Sequence, residues 1–368
     1  MVFALHYGGG THGGPLLNLV NTIRLRGWAG VDLFFALSGF LITGILYDTR
    51  SDTRFFKRFF ARRSVRIFPV FYLLLVVLLL LTPLFRYQWR LGHLPSLIYM
   101  GNFAIAIDPS LDRLHSANHP AASAYLGHFW SLCVEEQFYL LWPFAIWLVR
   151  DRIPLIWLAG GLSFMALAAR IALVMTLSPE VYGGWLIYLL PLRMDGLLMG
   201  SILALVLRGP AADRWLRSCK WIFLLASAVI VVGTILRPDV SSPWLLTIGI
   251  SAIAVASVGL IGITLRPGSP AFRLFSLRPL HVLGKYSYGF YVYHLVWAAG
   301  WASFVAFLTY RLHSSVIANA IAITANFALT FIVAQLSYNL FEFRFLDLKK
   351  RFEYDSELKS HEYAFTTE

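Results

Sequence analysis

The chain is short of charge, of cysteine and of repetition, and each shortage removes a class of protein. Only 14% of its 368 residues are Asp, Glu, Lys or Arg, against 58% hydrophobic. That ratio leaves more apolar surface than one water-facing core can hide, so the remainder must face lipid. Two cysteines, Cys133 and Cys219, are too few for a disulfide framework, and they fall on opposite sides of the membrane in the topology derived below. No stretch has the spacing of a nucleotide-binding glycine loop or a metal site, and no internal repeat is present. Met1 to Tyr7 lacks the basic start and cleavage site of a signal peptide.

What the chain has is long apolar runs. About 20 such residues cross a hydrocarbon core about 30 Å thick as a helix. Nine runs qualify: 28–47, 67–84, 129–149, 154–177, 186–207, 220–236, 244–265, 284–308 and 316–341. Met1 to Tyr7 is apolar but too short to span alone, and reads as the tail of a tenth helix. The expectation is an all-α polytopic membrane protein of about ten transmembrane helices, the first truncated at its N-terminus. Residues 1–345 would form the membrane-embedded domain and 346–368 a short cytoplasmic tail.

Basic residues near helix ends tend to stay cytoplasmic. The loop 48–66 carries Arg50, Arg54, Lys57, Arg58, Arg62, Arg63 and Arg66, whereas the longer loop after it has Arg86, Arg90 and Arg113. Arg150 and Arg152, then Arg208, Arg214, Arg217 and Lys220, then Arg266, Arg273 and Arg278 alternate onto the first side. Both termini are cytoplasmic if Met1 to Tyr7 belongs to a spanning helix. The net charge of +12 is then a topology signal rather than a nucleic-acid footprint.

Ionisable groups at membrane depth cost several kcal/mol, so each marks a potential site. They are His6, Asp32, Glu135, Glu136, Arg170, Arg193, Asp195 and His294, with Arg63 and Arg66 at a helix entrance. Near Asp32, Ser38-Gly39 reads either as a packing notch or as part of a site, and Asp32 as a helix cap or a site group. Arg63 and Arg66 share a helical face and suit a phosphate, unless they are a stripe touching lipid headgroups. Glu135 and Glu136 are adjacent and point about 100° apart, so one of them is structural. Glu135 shares a face with Ser131, Tyr139 and Trp142, which makes it the stronger site candidate, although pairing with an arginine explains it equally. Trp130 precedes it. His294, among aromatics, reads as a hydrogen-bonded packing residue or a catalyst. Arg193 and Asp195 read as substrate contacts or interfacial anchors, and Glu342 as the partner of a basic loop residue.

The blocks GVDLFFALSGFLIT, ARRSVRIFPVFY, HFWSLCVEEQFYLLWP, GKYSYGFYVYHLVW and LSYNLFEFRF, in that order, closely resemble the acyltransferase 3 family. The resemblance implies a ten-helix membrane protein that O-acylates a carbohydrate, glycan or glycoside, usually from acyl-CoA as co-substrate, with no tightly bound cofactor and no metal. It also implies a histidine near the end of the first helix, which His6 fits, with an arginine about ten residues upstream that this sequence does not contain. The family's Arg-x-x-Arg motif matches Arg63-Ser64-Val65-Arg66.

A mechanism follows from these matches. Imidazole can take a proton from an acceptor hydroxyl, or hold the acyl group, near neutral pH. His6 would do so, with Glu135 or Asp32 orienting it and Arg63 and Arg66 neutralising the donor's phosphates from the cytoplasmic side of a bacterial inner membrane. A transporter or flippase for a glycolipid-like substrate is the alternative. An internal repeat with paired broken helices would mark one.

Overall fold

Backbone groups in hydrocarbon must find partners within their own segment, so runs of this kind fold as helices. The computed structural model of the chain describes Phe3, His6 and residues 26–85, 87, 89–112, 126–237, 239 and 242–354, and among these there is no strand. Seven helical stretches among the described residues are long and apolar enough to cross a membrane, and they match seven of the nine apolar runs. The all-α polytopic class holds. The count of ten does not follow from it, because the other two runs are broken and only Phe3 and His6 are described before residue 26.

The chain runs α1 (Ala29–Asp48), α2 (Phe55–Phe85), α3 (Gly101–Ile107), α4 (Trp130–Val149) and α5 (Arg152–Thr176). The short helices α6 (Pro179–Tyr188), α7 (Leu190–Arg193) and α8 (Asp195–Val206) come next. Then follow α9 (Ala212–Leu236), a π turn at Leu245–Gly249, α10 (Ile250–Thr264) and α11 (Pro270–Phe275). The last helices are α12 (Arg278–Tyr293), α13 (Ala298–Leu312), α14 (Ser315–Ser337), a π turn at Tyr338–Glu342, and α15 (Phe343–Leu348). A 3-10 turn at Lys349–Phe352 carries the chain to Tyr354, which is buried and lies under Arg62 of α2.

Four boundaries differ from the apolar runs. Helix α2 begins at Phe55 instead of 67, because the segment 55–66 is helix-compatible though too charged for an apolar window. Helix α9 begins at Ala212 rather than 220, which puts Cys219 inside a helix, buried, and not in a loop. Cys133 and Cys219 are both unpaired. The run 186–207 divides into α6, α7 and α8: Leu189 is extended, and Pro191 has no N–H to continue the ladder. The run 284–308 divides into α12 and α13 around a turn at residues 294–297. Both pieces pack on α14.

The tightest seam joins α1 to α8. A Cβ on Gly39 would lie 1.8 Å from the Leu197 carbonyl oxygen, and one on Gly200 would lie 1.9 Å from that of Ala36. The notch expected at Ser38-Gly39 is therefore a backbone-to-backbone contact. Along the seam Asp32 pairs with Arg193, Thr43 donates to Ser201 at 2.7 Å, and Asp48 pairs with Arg208, so the two helices run in the same direction. Trp142 of α4 donates to Thr43 at 2.8 Å and ties a third helix to it. Outward faces carry exposed Leu80, Trp157, Met175 and Ile235. Large apolar side chains placed outside a core are the pattern of a lipid-facing surface.

Three basic turns gather at one end of the bundle. Arg50, Arg54, Lys57 and Arg150 line one cleft of about 700 Å³ together with Phe56 and Trp147, and Arg152 lies against Gly209 in the turn after α8.

Candidate active site

Phe3 and His6, three residues apart, present one helical face to α12 and α14. The Phe3 ring lies 5.5 Å from Phe290 and 5.6 Å from Phe327, the latter edge-on, and so touches both helices. One turn on, His6 Nδ1 lies 3.4 Å from His294 Nε2. His294 sits at the C-cap of α12, where helical carbonyls lose their partners, and its Nδ1 is 2.6 Å from the Tyr291 carbonyl oxygen. The His128 ring, just before α4, is edge-on to His294 at 5.1 Å. Tyr291 Oη donates to the His128 carbonyl at 2.8 Å and lies 3.1 Å from Ser131 Oγ, fastening α12 to the start of α4. Three imidazoles from three distant stretches of sequence thus meet at the end of the bundle where α4 begins.

Beside this cluster lie two buried ion pairs. Asp32 meets Arg193 at 2.9 Å, with side-chain exposures of 0% and 3%. The Arg193 guanidinium lies 5.7 Å from the Trp130 ring and 5.9 Å from Phe35. Asp32 is therefore a paired charge rather than a cap, and Arg193 is an interior residue, not an interfacial anchor. Arg170 pairs with Asp195 at 2.7 Å and donates to the Leu192 carbonyl at 2.6 Å and to Ser251 Oγ at 2.5 Å. Full burial of Arg170 is tolerable because these acceptors replace its water.

The third group lies nearer the basic end. Tyr139 donates to Glu135 Oε1 at 2.8 Å and also bonds Ser38 across the α1–α4 contact. Arg63 stacks on the Tyr139 ring at 4.1 Å. Glu136 faces a different neighbourhood, within electrostatic range of Arg63, Tyr72 and Tyr99, and its Oε1 is buried without a hydrogen bond. Arg66 is exposed although it lies well inside α2, with Tyr139, Tyr288 and Glu342 in electrostatic range. Glu342 accepts from Ser337 at 3.0 Å, and its basic neighbour is this helical arginine rather than a loop residue. From the His128 level to Tyr139 is 11 residues of helix, about 16 Å along the axis.

The fold therefore divides the site residues into groups. His6 and His294 come together. Asp32, Arg193 and Trp130 form a second group, and Ser38, Glu135, Glu136, Arg63 and Arg66 a third. The carboxylates expected to orient His6 are engaged elsewhere, Asp32 with Arg193 and Glu135 with Tyr139. His128 and Tyr291 were missed, since nothing local distinguishes a histidine before a helix start or one tyrosine among several.

Fold and site together define a helical membrane protein whose interior holds a histidine cluster and paired charges. The family model described as an acyltransferase domain, acyltransferase 3, matches residues 1–338, and the chain belongs to that family. It is 31% identical over 287 residues to YrhL of Bacillus subtilis strain 168, provisionally named a peptidoglycan O-acetyltransferase; the match covers 73% of this chain and 44% of that one. It is 28% identical over 334 residues to the peptidoglycan O-acetyltransferase OatA of Listeria monocytogenes, covering 86% of this chain and 51% of the relative. The O-acetyltransferase OatA of Staphylococcus aureus strain NCTC 8325 is 28% identical over 285 residues, covering 73% of this chain and 45% of its own. The chain spans about half the length of the curated relatives it matches. No solved structure matches it.

Proposed function

We propose that this chain transfers an acyl group, acetyl by analogy with its named relatives, from acyl-CoA to a carbohydrate hydroxyl within a cell membrane. The observation that carries the reading is the meeting of His6 with His294 and His128 at one end of the bundle. His6 takes the acceptor hydroxyl's proton, the hydroxyl oxygen forms the new bond to the thioester carbonyl carbon, and the thiolate leaves and is protonated. Arg63 and Arg66 bind the donor's phosphates bidentately. The axial offset of about 16 Å between that stack and the histidines suits a donor whose phosphates and thioester are joined by an extended pantetheine arm. Trp130 and the Asp32–Arg193 pair, flanking the histidines, are proposed to face the acceptor. Peptidoglycan is the acceptor that the relatives' names favour. The basic end, where Tyr354 lies under Arg62, is the cytoplasmic side in this reading.

The test is transfer of labelled acetyl from acetyl-CoA to peptidoglycan fragments by purified protein. His6→Ala should abolish transfer and leave donor affinity within about twofold, since the lost contact belongs to the transition state. Undiminished transfer by His6→Ala rules out the assignment.

A further inference from the structure

The reading of His6 as proton acceptor leaves open which of its nitrogens is basic, and the surrounding geometry answers that. The Tyr291 carbonyl oxygen can only accept a hydrogen bond, so the His294 Nδ1 atom 2.6 Å away must carry a proton. Neutral His294 then presents a lone pair on Nε2. The atom facing that lone pair at 3.4 Å is His6 Nδ1. Two facing lone pairs would repel, so His6 Nδ1 is the donor, and the remaining lone pair of His6 belongs to Nε2.

We infer that His294 is a positioning residue that fixes the tautomer of His6, holding the proton on Nδ1 and leaving Nε2 as its basic nitrogen. The inference rests on the role given to His6 above. The chain of bonds begins at a broken helix: α12 ends at Tyr293, which leaves the Tyr291 carbonyl open to the His294 side chain. At 3.4 Å the His6–His294 contact is long for a hydrogen bond. Once His6 is protonated, the bond becomes charge-assisted and shortens, which stabilises the imidazolium at the moment it forms. The fixed, neutral partner does what a carboxylate does in a Ser-His-Asp triad, without a second buried charge. The His128 ring, packed edge-on 5.1 Å from His294, limits that ring's rotation.

The experiment is 15N NMR of the full chain in nanodiscs with 15N-labelled histidine, the His6 signals being identified by their loss in His6→Gln. Neutral wild-type His6 should carry its proton on Nδ1. His294→Phe keeps a ring in the aromatic pocket but has no acceptor, and should release His6 to the Nε2–H form that free imidazole side chains favour in water. Its kcat should fall about 10- to 100-fold with donor KM within about twofold. His294→Gln has an amide N–H for the Tyr291 carbonyl and an oxygen for His6, and should keep the Nδ1–H form and recover part of kcat. A wild-type His6 protonated on Nε2, or a tautomer unmoved in folded His294→Phe protein, overturns the inference. The expected tautomer change in a protein without transferase activity leaves the lock standing and removes the functional reading instead.

Discussion

Neutralising Asp32 should destabilise the bundle more than any surface change of equal size. Asp32 and Arg193 meet at 2.9 Å with 0% and 3% side-chain exposure, and Arg193 Nε is buried without a hydrogen bond. With Arg170 and Asp195 nearby, the two pairs bring together two positive and two negative side chains, a net of zero. Asp32→Asn preserves shape but leaves one uncompensated positive charge, and removing one partner of a buried pair costs about 3–5 kcal/mol. Arg193→Met strands the carboxylate and should cost about as much. The double variant removes both charges and should be no worse than the poorer single one, a coupling of at least about 3 kcal/mol. Graded SDS unfolding in mixed micelles, run as a double-mutant cycle, measures all three values. Single losses below about 1 kcal/mol, the size expected of a solvated pair, or losses that simply add, would refute the claim that this pair is dry.

At the α1–α8 seam, Gly200→Ala should lower stability by about 1–3 kcal/mol or more, since its Cβ would meet the Ala36 backbone at 1.9 Å. Gly160→Ala, with nothing within 4 Å of the new Cβ, should be neutral or stabilising in the same unfolding assay. Arg63→Ala and Arg66→Ala should each weaken acetyl-CoA binding by about 1.5–3 kcal/mol at matched salt while Arg50→Ala changes little; equal affinities would reduce these arginines to topology markers. In intact cells an impermeant thiol reagent should label Ser116→Cys, which lies outside the described residues, and not Ser51→Cys in the basic turn. The reverse pattern would invert the topology.

The spanning segments were legible because lipid imposes a length and a polarity that a window of sequence can measure. The breaks were not. Pro191 marks the interruption between α6 and α8 only in hindsight, since leucines surround it and keep the run apolar. The α12–α13 break has no proline in its turn; it becomes visible only when His294 is seen bonding the Tyr291 carbonyl. Within the site, the cost of burying charge picked out Asp32, Arg193, Glu135 and His6 one by one. Which of them would meet was hidden, because the contacts join residues as distant in sequence as His6 and His294. Face-sharing put Tyr139 beside Glu135, where a helix supplies the geometry locally, though not the bond between them.

The breaks and the site have one physical origin. A helix interrupted inside a membrane exposes carbonyls that lipid cannot satisfy. Here the Tyr188 carbonyl accepts from Asn102 at 3.0 Å, that of Leu192 from Arg170 at 2.6 Å, and that of Tyr291 meets His294 at 2.6 Å. Each repair brings a polar side chain to membrane depth, and two of them continue onward, Arg170 to Asp195 and His294 toward His6. The groups that make the broken helices tolerable are thus the ones that organise the interior charges and imidazoles. A substitution that removes such a side chain therefore acts twice, stranding a carbonyl and releasing the residue beyond it. Losses of stability and of site geometry should then appear together at Arg170 and His294.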